Sequence, residues 1–98
     1  MMLVRQTFQA KYGHGDELVG VFKEFNSLGM GPDNQAGRIL TDASGPFFTV
    51  IAEYEVENFA AWEESFKKLM DRPEIGELFE RMMLHVESGS RDFFNIVE

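Results

Sequence analysis

The chain has 98 residues, 44% of them hydrophobic, with 17 acidic against 9 basic side chains and a formal net charge of -8. That length suits one domain, residues 1–98, around one core, and the acidic balance opposes a phosphate backbone or an anionic membrane, so neither nucleic acid nor membrane is an expected partner. There is no cysteine, which excludes disulfides, thiolate nucleophiles and cysteine-based zinc sites.

The opening MMLVRQTFQAK has no apolar core behind a basic start, and the expectation is a soluble cytoplasmic protein. Met2 to Ala10 alternates Met2, Val4 and Phe8 with Leu3, Arg5, Thr7 and Gln9, the period of a strand. After Tyr12 to Asp16, the residues Leu18, Val21, Phe22, Phe25 and Leu28 recur every three or four positions and predict a helix. It should stop near Gly29 to Pro32, and a loop over Gly31 to Ala36 should follow.

The centre of the chain, Arg38 to Val56, reads as a hairpin whose turn is Asp42-Ala43-Ser44-Gly45-Pro46. Its second strand is apolar on both faces, with Phe48, Val50, Ala52, Tyr54 and Val56 on one and Phe47, Thr49 and Ile51 on the other, so it needs cover on both sides. Asn58 then caps a second helix with the stripe Phe59, Trp62, Phe66, Leu69 and Met70, and the pairs Glu63 with Lys67 and Glu64 with Lys68 form its solvated face. Asp71 as cap, Pro73 in the first turn and Glu74 as capping partner predict a third helix with Ile75, Leu78, Phe79, Met82, Met83 and Val86 inward. Ser88-Gly89-Ser90 reads as its end. Arg91 to Glu98 reads as the last strand, with Phe94 and Ile96 opposite Phe93 and Val97.

This order predicts an α+β, ferredoxin-like βαββαβ fold with an extra helix before the last strand, a four-stranded antiparallel sheet and all helices on one face. The other face would carry Leu3, Phe47, Ile51, Phe93 and Val97, more apolar surface than a monomer usually exposes, so a second copy is expected to cover it.

The element order, with RILTDASGPFFTVIAEYEVENFAAWE and the later SGSRDFFNIVE, resembles the dimeric α/β-barrel superfamily, nearest its NIPSNAP-like branch of the antibiotic-biosynthesis-monooxygenase type of domain. The resemblance implies a homodimer whose two sheets meet face to face, with a cleft between each sheet and its helices. The wider group contains cofactor-independent monooxygenases, haem-degrading enzymes, small-molecule isomerases and proteins with no assigned activity, among which fold does not choose. The haem-degrading pattern resembles an Asn on the first strand, a Trp on the second helix and a ligating His near that helix's end. Here Trp62 is present, the first strand has no Asn, and the next His is His85, one helix later. No cofactor is therefore expected.

Other chemistry is sparse. His14 and His85 are 71 positions apart, without the spacing of a metal site, so no metal is expected. His14 reads as a solvated loop residue and His85 as a helix-end imidazole favoured by the dipole, with acid or base work as the alternative. Gly29-Met30-Gly31-Pro32 lacks the lysine of a phosphate loop. The remaining candidates are polar residues assigned to the inner sheet face: Arg5, Thr7, Gln9, Thr49, Glu53 and Asn95, joined by Trp62 and His85 as ligand-contacting groups. They would either address a polar ligand or make dimer-interface hydrogen bonds. Aromatic walls from Phe8, Phe22, Phe25, Trp62 and Phe66 would hold a small hydrophobic metabolite. Three functions stay open: a dimer binding such a ligand, a cofactor-independent monooxygenase-like enzyme acting on an aromatic or polyketide-like molecule, and a non-catalytic protein-interaction dimer.

Overall fold

A computed structural model describes residues 1–28 and 37–98. The chain runs β1 (Met2–Ala10), α1 (Gly15–Ser27), β2 (Arg38–Thr41), β3 (Thr49–Val56), α2 (Phe59–Met70), α3 (Ile75–Met83) and β4 (Val86–Asn95). The strands form one antiparallel sheet in the order β2-β3-β1-β4. This is the ferredoxin-like α+β arrangement, with α3 as the additional helix before the last strand. The glycine-rich stop at Gly29 to Pro32 and the loop Gly31 to Ala36 lie outside the described residues; within them, α1 ends at Ser27 and Leu28 closes its last turn with an N–H to the Phe25 carbonyl at 3.0 Å.

The pleat of β1 and β3 decides where the core sits. Met2, Val4, Gln6 and Ala10 on β1 and Val50, Ala52 and Val56 on β3 are buried, and cross-strand pairing puts all of them on one face. Leu18, Val21, Phe22 and Phe25 of α1, Leu69 of α2 and Ile75 and Leu78 of α3 complete the main core cluster. Met2, Val4 and Val56 form a second cluster, against which Tyr54, Trp62 and Phe93 pack. Burying each of these valines and leucines fully is worth about 1.5–3 kcal/mol. No helix among the described residues is long and apolar enough to cross a membrane.

Three local expectations are corrected. The hairpin's second strand begins at Thr49, so Phe47 and Phe48 belong to the turn. Gly45 takes φ 98° as a tight loop needs, but Phe48 also has a positive φ of 60°, which takes it out of the extended run. The Asp42 carboxylate accepts from the Thr49 N–H at 3.0 Å and closes the loop over both phenylalanines. Asn58 does cap α2, its Oδ1 accepting from the Ala61 N–H at 2.8 Å, and Glu64 pairs with Lys68 at 3.5 Å. Asp71 does not cap α3. Its N–H bonds the Lys67 carbonyl at the end of α2, and α3 starts at Ile75 behind Glu74 without a side-chain cap.

The third correction changes which residues share a face. Ser88-Gly89-Ser90 lies inside β4, because β1 supplies the ladder partners Gln9, Phe8 and Thr7. Gly89 is needed there: a Cβ at this position would lie 2.6 Å from Phe8 Cδ1. The register pairs Leu3 with Phe94 and Val4 with Phe93, so Phe93 joins the helix side and Phe94 the open side, the reverse of the expectation. Phe93 lies 4.8 Å from the Phe59 ring and 5.2 Å from Trp62. The open face therefore carries Leu3, Leu40, Ile51 and Phe94, while Phe47 is in the turn and Val97 follows the strand.

Candidate functional site

On the helix side the sheet and helices leave a cavity of about 180 Å³. Its floor comes from Gln6 and Phe8 of β1 and Ala52 and Tyr54 of β3, which the pleat points toward the helices. Phe22 and Phe25 of α1, Phe66 and Leu69 of α2, and Phe79 and Met82 of α3 supply the walls. The aromatic rings form a chain of contacts, Phe8 to Phe22 at 5.0 Å, Phe22 to Phe25 at 6.3 Å and Phe25 to Phe79 at 5.4 Å. These tilted arrangements suit ring quadrupoles and fix the wall geometry. One chain supplies the whole of this lining.

Arg91 of β4 joins Gln6 and Tyr54 as the polar part of the lining. Gln6 is buried and its Oε1 accepts from Arg91 Nη2 at 3.1 Å. The Arg91 guanidinium lies over Trp62 at 4.8 Å and Phe66 at 5.2 Å, two rings stacked on each other at 5.1 Å. Trp62 Nε1 donates to the Tyr54 hydroxyl at 2.8 Å. Burial pushes the Tyr54 pKa up, against the Trp62 hydrogen bond and the Arg91 charge, so the phenol keeps its proton at neutral pH.

The other candidates are elsewhere. Arg5, Thr7, Thr49 and Glu53 do share one face, but it is the open face of the sheet. There the register sets Arg38, Glu53, Arg5 and Asp92 side by side across all four strands, charges alternating in sign. Glu53 is 1% exposed, and it accepts from Arg5 Nε at 2.8 Å and from Arg38. Burial raises its pKa, but the hydrogen bonds and charges of the two arginines outweigh this and hold the carboxyl below the usual range. Thr49 Oγ1 donates to Gln9 Oε1 at 3.2 Å and to the Pro46 carbonyl at 2.9 Å.

Asn95 pairs with Met2 and so lies on the helix side at the end of β4, not with Arg5. Trp62 stands behind the cavity, where it positions Tyr54 and Arg91. His85 is in the turn between α3 and β4, its Nδ1 2.9 Å from Nδ1 of His14, one ring donating and the other accepting. His14, at the start of α1, is accordingly half-buried and partnered instead of a solvated loop residue. Among the described residues no group of three or more His, Asp and Glu side chains is arranged to hold a metal ion.

Sequence reasoning missed Gln6, Tyr54 as a polar group, and Arg91. Gln6 had a visible signal, an amide at an even position between Val4 and Phe8 on the apolar face of β1. Arg91 had none, since its facing depends on the register of β4.

The α+β sheet with three helices on one side and a cleft beneath them defines the class: a ferredoxin-like domain. No family model matches the sequence and no curated protein matches it. Solved structures do. A NIPSNAP family protein from Agrobacterium tumefaciens superposes with a TM-score of 0.85 at 16% identity, covering 100% of this chain and 95% of its own. An uncharacterized NIPSNAP domain protein from Burkholderia xenovorans gives 0.81 at 17% identity, covering 99% and 95%. A structure described as an antibiotic biosynthesis monooxygenase gives 0.71 at 13% identity, covering 100% of both chains. The fold is therefore the one shared by NIPSNAP family proteins and antibiotic biosynthesis monooxygenases.

Proposed function

We propose that the chain is a cytoplasmic, one-domain homodimer that binds a small hydrophobic metabolite in the cleft between its sheet and helices. The observation that carries the ligand reading is the cavity of about 180 Å³, walled by phenylalanines and closed at one end by Gln6, Tyr54 and Arg91. An apolar pocket with a few convergent polar groups is what a small-molecule site requires. The dimer reading rests on the open face, where Leu3, Leu40, Ile51 and Phe94 flank a charge row that is neutral in sum. The buried carboxylate in this row, Glu53, is already paired with Arg5 and Arg38 within its own chain, so covering it does not leave that charge alone. Arg5, Thr7, Thr49 and Glu53 belong to this interface, not to the ligand.

Cofactor-independent oxygenation of an aromatic compound is the second reading, favoured by the antibiotic biosynthesis monooxygenase among the structural neighbours. Binding is preferred because the cavity lining includes no carboxylate or imidazole among the described residues to act as base, and Tyr54 holds its proton.

A thermal-shift screen against quinones, phenols and short acyl compounds tests the cleft. A ligand that binds the native state alone raises the midpoint, by about 2.7 kcal/mol of stability at a hundredfold excess over Kd; no shift with any compound refutes the reading. Sedimentation equilibrium at micromolar concentration tests the assembly, with twice the chain mass of 11.2 kDa expected and a mass near 11.2 kDa refuting it.

A further inference from the structure

We propose that the cleft is selective for a small organic acid, a monocyclic aromatic or short acyl carboxylate whose anion is held by Arg91, Tyr54 and Gln6. This deepens the cleft reading and rests on it. Gln6 Oε1 is occupied by Arg91 Nη2 and the Tyr54 oxygen by Trp62 Nε1. The donors these side chains leave for a ligand are the Gln6 amide N–H, the Tyr54 hydroxyl proton and the other N–H groups of Arg91, against one further lone pair on each of the two oxygens. A polar end in which donors outnumber acceptors and one donor group is a guanidinium suits an acceptor-only anion best, and an ionised carboxylate is such a group.

Charge points the same way. Arg5, Arg38 and Arg81 each pair with a glutamate, whereas no ion pair engages Arg91 among the described residues. In a chain with 17 acidic and 9 basic residues, an arginine without a carboxylate at the edge of an apolar cavity has a cation to offer a ligand. The Trp62 and Phe66 rings hold its planar fork in place, which limits the ordering cost of a bidentate contact. Tyr54 stays protonated through burial and so donates instead of repelling an anion. Size sets the hydrocarbon part. The space of about 180 Å³ compares with the roughly 150 Å³ apolar cavity that accepts benzene, so one ring or a short acyl chain fits and a polycycle does not.

The test is calorimetric titration with phenylacetate and with its neutral counterpart 2-phenylethanol, on the wild type and on Arg91→Met. Phenylacetate should bind the wild type about 10- to 100-fold more tightly than the alcohol, the range of a charge-assisted hydrogen bond. In Arg91→Met the two ligands should bind within about twofold of each other, and in the wild type the acid preference should shrink as salt is raised. Arg91→Lys, which keeps the charge without the fork, should retain part of the preference and guards against a folding defect in the methionine variant. Equal binding of acid and alcohol by the wild type, or a preference that survives in Arg91→Met, overturns this inference and leaves the cleft reading standing. Binding of neither compound overturns this inference, and the cleft reading then falls only if the thermal-shift screen is also blank.

Discussion

Glu53→Gln is the most informative single perturbation of the open face. Glu53 is 1% exposed and takes hydrogen bonds from two arginines whose side chains are 38% and 70% exposed. Glutamine keeps the shape but presents one oxygen and one N–H₂ group, so one arginine loses its acceptor and the other keeps only a neutral one. Hydrogen bonds to charged groups contribute about 1.5–3 kcal/mol each. Because both arginines reach water and rehydrate, the net loss falls to about 1–3 kcal/mol, below the 3–5 kcal/mol of a fully buried broken pair. The sign with pH follows from the depressed carboxyl pKa: its stabilisation is complete above the unfolded value of about 4.3 and disappears as pH falls through the folded value. Urea unfolding at pH 7 should separate wild type from variant by that amount. The gap should close as pH drops below about 4.3, while the Glu24–Arg81 pair acts alike in both proteins and cancels. Measuring at two protein concentrations separates any change in dimerisation. Equal stability at pH 7, or a gap unaltered down to pH 3, refutes the account of Glu53 as a carboxylate stabilised by its arginines.

Gly89→Ala places a methyl group 2.6 Å from Phe8 Cδ1 and should cost about 1–3 kcal/mol by overpacking; a Gly89→Ala/Phe8→Leu double variant that recovers none of this in urea melts would show that the ring is not the obstacle. Trp62→Phe removes the N–H that donates to Tyr54, one of the influences lowering its pKa against burial, so the Tyr54 ionisation should move further up. Tyr54 is one of only two tyrosines, so an ultraviolet pH titration follows its ionisation, and an unmoved Tyr54 ionisation would contradict a role for this hydrogen bond.

Most of the fold could be read from periodicity. Leu18, Val21, Phe22 and Phe25 are the buried residues of α1, and the hairpin about Gly45 pairs as its turn chemistry suggests. Legibility failed where a local rule met a tertiary constraint. Ser88-Gly89-Ser90 has the composition of a break, yet β1 offers it a ladder and the Phe8 ring fills the space a larger residue at Gly89 would need. That one misreading moved the start of β4 and reversed the faces of Phe93, Phe94 and Asn95, since strand facing inverts with every single-residue step. It also hid Arg91, whose position beside Gln6 exists only in the observed register. The His14–His85 contact spans 71 positions and had no local signal.

The two faces of the sheet differ in what their polar groups leave over. On the open face the key partners are internal: Glu53 with Arg5 and Arg38, and Thr49 with Gln9 and the Pro46 carbonyl. Such groups set orientation when another surface packs on them but have little to exchange with a small molecule. On the helix face Gln6 and Tyr54 each accept one internal bond and keep their donor groups. The face that sequence reasoning chose for ligand chemistry is thus the internally paired one, and on the face it assigned to the core Gln6, Tyr54 and Arg91 line a cavity. If the cleft binds an acid as proposed, recognition falls on the helix side, where Gln6, Tyr54 and Arg91 meet the apolar cavity, even though the charge row lies on the other face.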